Sequence, residues 1–106
     1  MRFVLIALAL GLALPCGAAS TGTTEIDQVG QRFSRTSLSL PRGETVHFTN
    51  HDDVTHNISV IDAVENAVDK GLQRPGEEIA QLFDRAGKFV VRCSIHPKMK
   101  MVIVVN

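Results

Sequence analysis

The sequence predicts an all-β sandwich or barrel, and three observations carry that prediction. Short segments rich in Val, Ile, Phe and Thr recur along the chain. Several of them place apolar residues at every second position, so that one face of a strand is apolar and the other polar. Turn formers separate them: Pro41-Arg42-Gly43, Arg74-Pro75-Gly76 and Ala86-Gly87.

Residues 1–19 stand apart from this pattern. Arg2 gives a short positive start, and an apolar run follows from Phe3 to Leu14. Pro15, Cys16 and Gly17 break the run, and Gly17-Ala18-Ala19 offers a small-residue cleavage site. This is the layout of a cleavable signal peptide, so residues 20–106 are expected to form one exported domain. A permanent membrane span needs roughly 20 apolar residues, more than this run supplies, so no stable membrane insertion is expected. A lipid-modified Cys16 is the other alternative, and Pro15 before it argues against that. Cleavage removes Cys16 and leaves Cys93 as the one cysteine of the mature chain. A lone thiol in an oxidising compartment has no disulfide partner and is open to oxidation unless something occupies it.

Residues 20–24 are small and polar and are expected to fray. Residues 33–40 read as a strand ending at the Pro41 turn. Residues 44–50 follow, with Val46 and Phe48 in alternation, and then residues 56–62, with Ile58 and Val60. Residues 63–71 are ambiguous, because Ala63, Val64, Ala67 and Val68 have helical spacing and a short helix or an ordered loop both fit. Residues 78–83 are a weaker strand. Residues 88–93 alternate through Phe89 and Val91, and residues 101–105 form a continuous apolar run suited to a buried strand.

Chemistry concentrates in Cys93-Ser94-Ile95-His96-Pro97-Lys98-Met99-Lys100-Met101, at the end of a strand. A second element, His56-Asn57, lies upstream at the start of another. Cys93 shares parity with Phe89 and Val91, and His56 with Ile58 and Val60, so both side chains are directed at the apolar interior. His47 shares parity with Thr45 and Thr49 and is expected to face solvent. Taken singly, a buried cysteine is ordinarily a small hydrophobe and a methionine is core filler. Taken together, a thiol, imidazoles and thioethers at one end of an exported β domain suit a soft, redox-active metal. Two histidines and a cysteine with a long axial methionine make the electron-transfer copper arrangement. Structural zinc prefers four cysteine or histidine ligands, and catalytic zinc three plus water. No carboxylate accompanies these residues in sequence, which disfavours a zinc hydrolase.

The stretch from Phe83 to Cys93 resembles the cupredoxins of the plastocyanin and amicyanin type, with strand, Ala-Gly turn, aromatic and ligand cysteine in register. Cys93-x-x-His96-Pro97-x-Met99 resembles the short amicyanin ligand loop, and Val46-His47-Phe48-Thr49-Asn50 through His56-Asn57 resembles the earlier strand, loop and first histidine. The resemblance implies a Greek-key β-sandwich of cupredoxin type holding one copper ion. It implies His56, Cys93 and His96 as equatorial ligands and Met99 as the axial one. Asn57 would stand beside the first histidine, tying the two ligand segments together. Met101, where the family has glycine, sits at the plastocyanin spacing and is the alternative axial residue.

The function this implies is a soluble exported carrier, placed in the periplasm or otherwise outside the cytoplasm. Its single copper would cycle between Cu(I) and Cu(II), and it is not expected to be an enzyme. Copper storage or delivery with the same ligands is the alternative. The expected partner is a redox protein of cytochrome or dehydrogenase type, met by a monomer. Arg92, Lys98 and Lys100 flank the ligand loop and could steer an acidic partner. Equal numbers of acidic and basic side chains give no sign of a nucleic-acid partner.

Overall fold

The computed structural model describes Gly11 and residues 22–106. The proposed signal peptide, its cleavage site and Cys16 lie outside the described residues, apart from Gly11.

Among the described residues eight strands form two sheets: β1 Thr23–Gln28, β2 Ser37–Leu40, β3 Glu44–Asn50, β4 His56–Ile61, β5 Ala67–Gln73, β6 Glu78–Phe83, β7 Gly87–Arg92 and β8 Lys100–Val105. One sheet has the order β1-β3-β6 and the other β2-β8-β7-β4-β5. β1 runs parallel to β3 and β2 parallel to β8, so the chain crosses repeatedly between layers. This is the expected Greek-key sandwich.

The core lies between the layers. Ile26, Val46 and Phe48 come from the smaller sheet, and Leu38, Leu40, Ile58, Val60, Phe89, Val91, Met101, Ile103 and Val105 from the larger. Edge-to-face ring pairs, Phe33–Phe48 at 6.3 Å and Phe83–Phe89 at 5.3 Å between centroids, fill the space beside them.

Three expectations are corrected. Residues 63–71 are neither helix nor loop throughout. Asp62 Oδ1 accepts hydrogen bonds from the Val64 and Asn66 amides (3.0 and 2.9 Å), turning the chain at residues 62–66. The chain then returns as edge strand β5, with Ala67 opposite Ile61 and Val68 opposite Val60. Cross-strand pairing outweighs the helical spacing of four small apolar residues, and Val64 and Val68 remain exposed. The start of the domain is not frayed from residue 23 onward, because β1 pairs along β3 from Thr23 to Gln28. Its pattern was obscure because the two side chains it buries are Ile26 and the polar Gln28. The strand expected over 33–40 is shorter. Phe33 makes only an isolated bridge to Gln28, and pairing with β8 begins at Ser37.

A buried amide cluster supports the end of the sandwich where His56 sits. Gln28 Nε2 donates to Gln73 Oε1, and Gln73 Nε2 donates to the carbonyls of Phe48 and Glu77, each at 2.6 Å. Asn50 Nδ2 donates to the carbonyls of Val54 and Gln73 (both 2.9 Å), and its Oδ1 accepts from the Asp52 amide at 2.9 Å. Asn50 thereby shapes the loop between β3 and β4 from within.

Candidate metal centre

β4 opens at His56, and Cys93 follows β7 directly. The two strands are antiparallel neighbours, so these distant residues meet at the same end of one sheet. The chain between Cys93 and β8 folds into a tight loop. The Met99 amide donates to the His96 carbonyl at 2.9 Å, and the Cys93 amide donates to the Met99 carbonyl at 3.3 Å. This closure brings His96 back over Cys93.

His56, Cys93 and His96 form the cluster capable of holding a metal ion among the described residues. Cys93 Sγ lies 3.8 Å from His56 Nδ1 and 3.7 Å from His96 Nδ1, and the two Nδ1 atoms are 3.1 Å apart. An ion with bonds of about 2.0 Å to nitrogen and about 2.3 Å to sulfur, in trigonal array, needs sulfur–nitrogen separations of about 3.7 Å. The donor set fits. His56 and Cys93 are fully buried, whereas His96 is half-buried and borders a surface hollow with Gly30, Arg32, Ile95 and Lys98.

The surrounding groups prepare the donors. His56 Nε2 donates to Asp52 Oδ2 at 2.8 Å, which leaves the Nδ1 lone pair facing Cys93 and His96. Asp52 is itself held. The amides of Gly30 and Gln31 donate to its two oxygens at 3.0 and 2.7 Å. Both residues have left-handed φ, 62° and 56°, which aims consecutive N–H groups at one carboxylate. The Gln31 amide is the foremost reason that the Asp52 carboxyl stays below its ordinary range. Burial opposes this, and His56 and the Gly30 amide reinforce it.

The Asn57 amide donates to Cys93 Sγ at 3.3 Å. Its side-chain Oδ1 accepts from the Ser94 amide at 3.0 Å and from the Ser94 hydroxyl. Asn57 therefore joins the start of β4 to the segment that carries Cys93 and His96. Met99 is buried in the loop immediately before β8. Met101 is buried one inward step further along, opposite Val91 in the ladder, among core residues.

The other residues named from sequence fall as follows. His47 is only partly exposed and bonds Glu78. Arg92 and Lys100 are exposed and directly opposed across β7 and β8, whereas Lys98 lies on the loop beside His96. Asp52 had no assigned task from sequence, although its place four residues before His56 was a usable signal. It also qualifies the absence of an accompanying carboxylate. One is present, but it binds the imidazole on the side away from the donors.

The sequence profile of the copper-binding proteins of the plastocyanin/azurin family matches residues 20–106. The chain is 27% identical over 101 residues to a "Methylamine utilization protein MauL" of Methylorubrum extorquens, covering 95% of this chain and 89% of that one. It is 28% identical over 102 residues to "Amicyanin-alpha" of the same organism, covering 94% and 86%. Among solved structures, a "Novel Purple Cupredoxin from Nitrosopumilus maritimus" superposes with a TM-score of 0.69 at 26% identity, covering 78% of this chain and 99% of that one. A Cu(I) amicyanin variant superposes with a TM-score of 0.74 at 23% identity, covering 83% and 86%, a likeness of fold.

Proposed function

The chain belongs to the plastocyanin/azurin family of copper-binding proteins, and we propose that it is an exported single-electron carrier whose copper is held by His56, Cys93, His96 and Met99. Copper is the cofactor. The observation that carries the proposal is the convergence of one thiol and two imidazole Nδ1 atoms, two of the three residues buried and the third reaching the surface. Thiolate, imidazole and thioether donors together serve both copper oxidation states, so bound copper supplies a one-electron couple here.

The chain's own groups do the rest. Asp52 sets the tautomer and ring angle of His56. The Asn57 amide directs a hydrogen bond at the Cys93 sulfur and stabilises its negative charge. The packed sandwich beneath excludes water. His96 is the ligand nearest a docked partner, and Lys98 beside it supplies positive charge to meet an acidic surface. Met99 is preferred over Met101 because it belongs to the loop that carries His96, whereas Met101 fills the sheet core.

The domain is taken to be residues 20–106, a monomer released outside the cytoplasm after loss of residues 1–19. Among the described residues no helix is long and apolar enough to cross a membrane. Its proposed partner is a redox protein of cytochrome or dehydrogenase type, and relatives of the chain are named as a methylamine utilization protein and as amicyanin. Copper titration of residues 20–106, followed by visible and electron paramagnetic spectra, tests the proposal. An intense thiolate-to-copper band that is lost in Cys93→Ser is expected. A colourless Cu(II) protein with a tetragonal copper spectrum would overturn it. Rapid electron self-exchange separates a carrier from a storage or delivery protein.

A further inference from the structure

Asn57 can tie the ligand segments together only if its side-chain amide keeps one orientation. The Oδ1 atom must face Ser94, where it meets an N–H and a hydroxyl. On the other side, Asn57 Nδ2 donates to Asp69 Oδ1 at 2.7 Å and reaches the Gly71 carbonyl at 3.4 Å. Asp69 lies on edge strand β5 and is exposed, far from the ligands in sequence. The same oxygen, Asp69 Oδ1, accepts the Gly71 amide at 2.7 Å. Gly71 has φ of 93°, and the register with β4 shifts between Asn57 and Ser59. The irregularity of β5 thus brings a carboxylate and a carbonyl against the Asn57 amide.

We propose that Asp69 is a positioning residue for the copper thiolate, acting through Asn57. A rotated amide would set its NH2 group against the Ser94 N–H and its oxygen against an Asp69 oxygen. Both contacts are repulsive, and a carboxylate, which only accepts, enforces the choice. With Nδ2 held by Asp69, Oδ1 holds the Ser94 amide, which follows Cys93 directly, while the Asn57 backbone N–H meets Cys93 Sγ at 3.3 Å. One exposed carboxylate on an edge strand thereby sets the hydrogen bonding of a buried sulfur.

The inference rests on the ligand set proposed for copper, so its test includes a readout that needs no metal. Asp69→Ala and Asp69→Asn are compared with the unsubstituted protein. Asparagine carries no charge but retains an Oδ1 able to accept both bonds, and the Gly71 N–H holds that oxygen, not the NH2, toward Asn57. In the copper-free protein, Ser94 amide hydrogen exchange is expected to quicken about tenfold in Asp69→Ala, as loss of one hydrogen bond's net contribution allows. It should stay near the original rate in Asp69→Asn. In the copper-loaded proteins, Asp69→Ala should shift the thiolate band and the reduction potential, and Asp69→Asn should restore both.

Unchanged Ser94 exchange in a folded Asp69→Ala protein overturns the proposal. So does an Asp69→Asn protein that behaves like Asp69→Ala, since charge rather than positioning would then be the cause. Failure of the ligand assignment shows separately, as an unsubstituted protein without the thiolate band. Should Asp69→Ala not fold, the Asn57 Nδ2 protons of the unsubstituted protein decide. Nδ2 protons shifted downfield and exchanging with solvent far more slowly than those of an exposed asparagine support the proposal, and Nδ2 protons with the shift and exchange rate of an exposed asparagine overturn it.

Discussion

Asp52 and His56 sit four residues apart with Oδ2 and Nε2 at 2.8 Å, the imidazole fully buried and the carboxylate side chain 9% exposed. The contact gives the imidazole its tautomer before any metal arrives. Removing such an outer partner typically lowers metal affinity about 10- to 100-fold. Asp52→Ala should therefore weaken copper binding by that order while leaving the visible band in place. Competition with a chelator of known affinity measures the first, and absorption of the saturated protein the second.

The same carboxylate has a signed effect on stability. Its pKa is lowered in the folded protein from an ordinary value of 3.8. A depressed carboxyl pKa contributes stability that is complete above the unfolded value and is lost as pH falls through the folded one. Copper-free protein should therefore lose denaturant resistance below about pH 4. Asp52→Asn should show a shallower acid loss, because nothing remains there to protonate. Urea midpoints between pH 7 and pH 2 for the two proteins check this.

The two methionines separate by substitution. Met101→Leu keeps volume in a packed core and should cost less than about 1.5 kcal/mol, with the copper spectrum unchanged. Met99→Leu should leave a folded protein with an altered spectrum and potential, since a long axial ligand tunes the couple. A shifted spectrum in Met101→Leu alone would transfer the axial role to Met101.

Asn50 is fully buried and serves two carbonyls and one amide. Asn50→Ala strands those groups, each unsatisfied buried partner costing about 1–3 kcal/mol. A loss of at least about 2 kcal/mol in chemical denaturation is expected. Copper affinity should fall as well, because the Asp52 amide is one of the groups released.

Lys98 beside His96 should govern encounter with anions. Oxidation of the reduced protein by hexacyanoferrate(III) should slow as salt is raised, since screening shortens the reach of surface charge. Lys98→Glu should slow it further at low salt and flatten the salt dependence. A rate indifferent to ionic strength in both proteins would remove steering from the account.

Much of this molecule was legible along the chain. Alternation at Val46/Phe48, Ile58/Val60 and Phe89/Val91 determined the strands and which faces are buried, because a strand's side-chain period is a local property. The same parity directed His56 and Cys93 inward, and the spacing from Cys93 to Met99 determined a loop short enough to return His96 beside the thiol. What remained hidden depends on partners distant in sequence. β1 is a strand because β3 lies beside it, and β5 is a strand because β4 does, whatever their own patterns suggest. Only the tertiary structure joined Gly30 and Gln31 to Asp52, and Asp69 to Asn57 and Ser94. Hydrogen bonds of that kind depend on the distance and direction between groups brought together by sheet registry, and neither quantity is encoded in the order of residues along a single segment.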